Sequence, residues 1–142
     1  MKHRLLFLYQ LLTGLSDTAT GVLLVAAPAF TLHLMHVNAP PDALPYLSWV
    51  GAFVLSVGLA CLYGAFLTTR PTFTAKLETV WVLTTIARAS VALFVASQIA
   101  AGALASGWIS VPITDGAIAL FQIIGLSRSH TSSKSWLSDD AN

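Results

Sequence analysis

The sequence predicts an all-α fold, a polytopic four-helix membrane bundle with both termini on the cytoplasmic side. Three observations carry that reading. Hydrophobic residues fill 56% of the 142 positions and charged residues only 9%, against roughly 25% charged in soluble chains. Four apolar stretches each reach the roughly 20 residues a helix needs to cross about 30 Å of hydrocarbon. Basic residues, finally, gather on one side of those stretches.

The first expected span covers 5–30. Its opening, Met1-Lys-His-Arg followed by Leu5-Leu-Phe-Leu, has the form of a secretory signal, with Ala26-Ala-Pro-Ala29 as its cleavage region. Asp17 would interrupt the apolar core of such a signal, so the segment is read as a retained helix. His36-Val-Asn-Ala-Pro-Pro-Asp42 is rich in turn formers and separates it from the second span, 44–67. Thr68-Thr-Arg-Pro-Thr72 places a proline where the next helix must restart. The third span covers 75–101. The short apolar link Ala101-Gly-Ala-Leu-Ala-Ser-Gly107 then predicts a tight hairpin into the fourth span, 108–126. These spans form one domain, 1–127. The remainder, 128–142, reads as a polar cytoplasmic tail that is mobile unless a partner holds it, with Trp136-Leu137 as its anchor.

Charge sets the orientation. Lys2, Arg4, Arg70, Lys76, Arg128 and Lys134 are six of the seven basic residues, and all fall on one side of a four-pass topology. By the positive-inside rule that side is the cytoplasm. Tyr9, Tyr63 and Trp81 fall near the inner boundary, and Tyr46, Trp49 and Trp108 near the outer, as an aromatic belt requires.

Polar residues inside the spans mark the bundle interior, because a charge at membrane depth costs about 2.5–3.5 kcal/mol on insertion scales. Gln10, Thr13, Asp17 and Thr20 share one face of the first helix, with Gly14 and Gly21 beside them. Glu78, Trp81, Thr85 and Arg88 share a face of the third, continued by Ala92, Ala96 and Ala100. Asp115 and Gln122 share a face of the fourth. Asp17 and Arg88 lie at comparable depth and are expected to pair, with Asp115 as a second acceptor for the guanidinium. Glu78 is expected nearer the cytoplasm, within reach of Gln10 and Gln122. Ser110 and Pro112 also suit a helix start, which would place Asp115 near the favourable positive end of the helix dipole; both positions for it stay open. Trp81 and Thr85 are candidate walls of a pocket. The second helix offers a ridge of small residues, Ala52, Ser56, Ala60 and Gly64, that allows close helix approach.

Other chemistry is poorly represented. Cys61 is the lone cysteine, so neither an intrachain disulfide nor a multi-cysteine metal site can form. His33 and His36 share a face at the outer end of the first helix but have only Asp42 as a nearby third ligand, so no metal site is expected. No nucleophile elbow, phosphate loop, zinc-protease helix or dinucleotide fingerprint occurs.

In size, in its four spans, and in a first helix ending Leu23-Leu-Val-Ala-Ala-Pro28 before Leu32-His-Leu-Met-His-Val37, the chain resembles the small bacterial DoxX-like membrane proteins. The resemblance implies a membrane subunit associated with quinone-linked sulfur or amine oxidation, and it places no catalytic residue on this sequence. The leading expectation is a non-enzymatic accessory subunit of a larger respiratory, photosynthetic or other redox complex. It has no required cofactor, and its partners are lipid, other membrane subunits or further copies of itself, not nucleic acid. Two alternatives stand beside it. One is a redox-associated protein that binds a quinone, lipid or pigment. The other is an oligomeric proton-coupled carrier or channel built on Asp17, Arg88, Glu78 and Asp115.

Overall fold

The computed structural model describes residues 2–37, 39–70 and 74–139, and the side chains of 4–37, 39–70 and 76–128. Every regular element among these residues is helical: α1 (Lys2–Ala26), α2 (Pro28–Leu34), α3 (Leu44–Leu67), α4 (Thr74–Ala100) and α5 (Ser110–Asp139). Short 3-10 turns, Pro41–Ala43 and Ser106–Ile109, lead into α3 and α5. Three segments, Pro41–Leu67, Lys76–Ala100 and Ser106–Arg128, are long and apolar enough to cross a membrane. Leu59, Phe53, Leu83, Leu93, Phe94 and Ile113 are among many large apolar side chains left exposed on their outer faces. Such a surface suits lipid and not water.

The expected span over 5–30 is divided. Pro28 has no N–H and crowds the residue before it, so Ala27 leaves the helical region, with φ −146° and ψ 62°. The chain restarts at once as α2. That short helix ends in a Schellman motif: His36 donates its N–H to the His33 carbonyl, and Val37 donates to that of Leu32, each at 3.0 Å. The buried side chains of Leu32 and Val37 accompany the motif. Its cost falls on His36, held at φ 55° where glycine is the ordinary occupant. The end of α4 uses the same device with the ordinary residue. Gly102 at φ 73° donates to Ile99, and Ala103 donates to Gln98. His36→Gly is therefore expected to raise stability by about 1 kcal/mol, and Gly102→Ala to lower it by a similar amount. Thermal unfolding in lipid nanodiscs would read both.

Two tight helix pairs make up the bundle. In the first, α1 and α3 run antiparallel along their full lengths, and glycines set the distance between them. A Cβ built on Gly21 would lie 2.5 Å from the Leu55 nitrogen, and one on Gly58 would lie 2.5 Å from the Thr18 nitrogen. Gly14 faces Leu62, and Gly51 faces Leu24 in the same way. The expected ridge of Ala52, Ser56, Ala60 and Gly64 is thus corrected. Gly64 is buried, but Ala52 and Ser56 are exposed and Ala60 only half-buried. Only a glycine lets two backbones touch, so the face carrying Gly51 and Gly58 turns inward and its alanine and serine neighbours turn out.

The second pair is α4 with α5, also antiparallel. Gly116 faces Ala92, and Gly125 lies under the indole of Trp81. Between the pairs the backbones stand further apart. α3 and α4 touch over a shorter stretch, and among the described residues α1 makes no close backbone approach to α4 or α5. Long side chains span that gap, and they are the polar ones.

The backbone of α5 stays helical to Asp139, beyond the expected end of the span. No glycine or proline lies between Gly125 and Asp139 to break it. The expected anchor, the Trp136 and Leu137 side chains, lies outside the described residues.

Candidate functional site

The gap between the two helix pairs is filled in three layers, taken here from the end of the bundle where α1 begins.

The first layer is aromatic and amide. Tyr9 of α1 meets Trp81 of α4 edge-on, with ring centroids 5.8 Å apart, and Phe121 of α5 at 4.7 Å. Trp81 and Phe121 close the triangle at 6.1 Å. Such contacts contribute about 0.5–1.5 kcal/mol each beyond burial. Gln10 lies beside them, fully buried, with its amide against the bare Cα of Gly64. Tyr9 and Trp81, expected in an interfacial belt, are therefore interior residues, and Trp81 is only 7% exposed. Tyr46, Trp49 and Tyr63 do face outward.

The second layer is a closed hydrogen-bond set. Thr85 donates its hydroxyl to Gln122 Oε1 at 2.9 Å, and Gln122 Nε2 donates to Thr84 Oγ1 at 3.0 Å. Thr84 in turn donates to the Val80 carbonyl at 2.8 Å. With both ends of its amide engaged on α4, Gln122 is not the partner of Glu78 that the helical spacing suggested. Glu78 sits half-exposed towards the start of α4. It lies about 15 Å along the helix from Arg88 at 1.5 Å per residue.

The third layer holds the charge. Arg88 on α4 is 3% exposed. One terminal nitrogen donates to Asp115 Oδ1 on α5 at 2.6 Å, and the other donates to Asp17 Oδ2 on α1. The second nitrogen also faces the sulfur of buried Cys61 on α3 at 4.0 Å. One guanidinium on α4 thus touches side chains from the three other long helices. Asp115 lies in the second turn of α5, so both sequence readings of it hold in part: it is early in its helix and yet reaches the interior. Charge-assisted bonds of this kind are the strong ones, and the planar fork of arginine suits two carboxylates better than a lysine would.

The geometry therefore brings Asp17, Arg88, Asp115, Thr85 and Gln122 into the interior with Trp81 and Gln10, and leaves Glu78 towards the edge. Spacing alone missed Tyr9, Cys61, Thr84 and Phe121. Thr84 precedes Thr85 and escaped because the stripe was drawn through one residue per turn. Cys61 had a signal, its position on the glycine face three residues from Gly58 and Gly64. Phe121 carried none.

Polar atoms in the first layer remain without partners. Both heteroatoms of the Gln10 amide, the Tyr9 hydroxyl and the Trp81 N–H are buried with no hydrogen-bond partner among the described residues. Each such group costs about 1–3 kcal/mol when left unsatisfied. No family model matches the chain, and neither a curated protein nor a solved structure matches it.

Proposed function

We propose that this is a multi-pass integral membrane protein without catalytic chemistry of its own, an accessory subunit that packs against other subunits of a larger complex. α1, broken from α2 at Pro28, is the fourth membrane crossing, and both termini lie in the cytoplasm of a bacterium whose inner membrane holds the protein. The single observation supporting this reading is how Arg88 is used. Both terminal nitrogens are bonded to carboxylates on other helices, so the strongest charge in the interior is spent on holding α1, α4 and α5 together. Of its three nitrogens only the inner Nε lacks a partner, while the outer fork, the part that grips carboxylates and phosphates, faces Asp17 and Asp115.

The outer faces are consistent with a subunit role. Trp49 and Phe53 stack edge-on at 5.7 Å on the exposed side of α3, near exposed Tyr46 and Val50. Large aromatics on an outward face provide anchors for a neighbouring helix as well as for lipid.

Native mass spectrometry on material extracted gently from its own membrane tests the proposal. The expected result is a mass far above 15.0 kDa, with companion proteins present in fixed ratio. A bare monomer that retains its cellular role would refute it.

A further inference from the structure

Apart from the Arg88 clamp, the buried interior contains a second polar feature that the subunit reading does not use. From the first layer we infer a binding site for a hydrogen-bond-accepting oxygen, enclosed by Gln10, Tyr9 and Trp81. Its source is an internal water or the polar head of an otherwise apolar membrane-soluble molecule.

The argument begins with side chains that have no other outlet. Gln10 is fully buried, and neither end of its amide has a partner. It cannot swing away on the α3 side, because its Nε2 already occupies the space that a Cβ on Gly64 would take. Trp81 is fixed in a similar way. The benzo edge of its indole lies against Gly125 of α5, which turns the N–H edge away from that helix. Packing against Tyr9 and Phe121 holds the ring there. Two rigidly placed donors and a phenol hydroxyl therefore lie in one layer with none of them hydrogen-bonded to another protein group.

Chemical type then selects the ligand. The Trp81 N–H can only donate, and the Gln10 Nε2 contributes two further hydrogens. The only unpaired acceptors in the layer are Gln10 Oε1 and the Tyr9 oxygen. The Trp81 N–H needs an acceptor, and neither Gln10 Oε1 nor the Tyr9 oxygen bonds to it, so the missing partner is an acceptor. An oxygen satisfies this, whether it belongs to water or to a carbonyl, ether or phosphoryl group. A cation or an ammonium group does not. Gln122, the nearest amide on α5, is held by Thr84 and Thr85 of α4, with its Oε1 turned to the Thr85 hydroxyl.

The test uses the Trp81 indole as its own reporter. In a full-length protein carrying Trp49→Phe, Trp108→Phe and Trp136→Phe, reconstituted in lipid, ultraviolet resonance Raman of the indole N–H-sensitive band reads whether Trp81 donates a hydrogen bond. The expected band is that of a bonded N–H, kept in Tyr9→Phe and moved toward the unbonded position in Gln10→Leu. An unbonded N–H in the parent overturns the inference. So does a bond lost in Tyr9→Phe, which would make the phenol oxygen the acceptor, or one indifferent to Gln10→Leu. The sources separate on exhaustive detergent exchange. A bonded band that persists with no extra mass, together with a nuclear Overhauser contact between the Trp81 indole N–H and water, assigns the oxygen to water; the same band without that contact makes Gln10 Oε1 the acceptor and overturns the inference. A band that moves as a discrete bound mass is lost assigns it to a membrane-soluble ligand. Failure here leaves the subunit proposal standing, because neither outcome depends on companion proteins.

Discussion

Arg88→Met is expected to lower the stability of the bundle by about 3–5 kcal/mol, because it strands two inward-facing carboxylates that were paired on one guanidinium. Asp17 and Asp115 are only 18% and 21% exposed in their ion pairs, so each would be left with a largely buried charge. The loss should appear as separation of α1 from the α4–α5 pair. That boundary depends on long side chains, and close backbone contact does not support it. Crosslinks or spin labels across α1 and α5 should loosen before labels across α1 and α3. Asp17→Asn or Asp115→Asn alone should cost less, since each leaves the guanidinium one carboxylate. Unfolding in bicelles, followed with the same label pairs, measures both the magnitude and the order.

The second large effect is predicted at the glycines of the α1–α3 contact. Gly21→Ala and Gly58→Ala each place a methyl group 2.5 Å from a backbone nitrogen of the facing helix. Neither neighbour is a flexible side-chain end that can yield, so the helices must separate. Overpacking of this kind costs about 1–3 kcal/mol, and the upper half of that range is expected here because the obstacle is main chain. Ser56→Leu, on the exposed side of α3, should change stability by no more than about 0.5 kcal/mol. If Ser56→Leu proved as harmful as Gly58→Ala, the register of α3 would be wrong.

The contrast between those two positions shows what the sequence could and could not reveal. Length and hydropathy were sufficient for α3, whose bounds, Leu44–Leu67, coincide with the expected span, and nearly so for α4. The polar stripes were also legible. A charge in an apolar helix has only one affordable direction, so Asp17, Arg88 and Asp115 could be assigned to a common interior. The facing of α3 was not legible in this way. That helix carries no charge, both of its candidate ridges are made of small residues, and choosing between them turns on the single carbon that separates glycine from alanine. Hydropathy ran the first span through Pro28 to residue 30, because the residues on both sides are apolar, and only the proline itself, where the DoxX-like resemblance ended the first helix, marked the break. Glu78 was placed nearer the helix start than Arg88, as found, but a shared face did not reveal that it would sit half-exposed there. Gln10 was drawn toward the right interior but toward the wrong partner.

Buried ion triads differ from most stabilising features in one useful respect: removing one member is harmful, but replacing the whole set by apolar groups of similar size is often tolerated. A clamp should obey that rule, whereas a site that moves protons or holds a substrate should not survive the exchange. The decisive measurement is therefore the unfolding free energy of Arg88→Met beside that of the triple variant Arg88→Met, Asp17→Leu, Asp115→Leu, in the same lipid. If the interior charge is structural, the triple variant recovers most of the loss and extracts from the membrane with the same companions as the wild type. A triple variant as unstable as Arg88→Met, or one that folds like the wild type but loses those companions, would contradict that account.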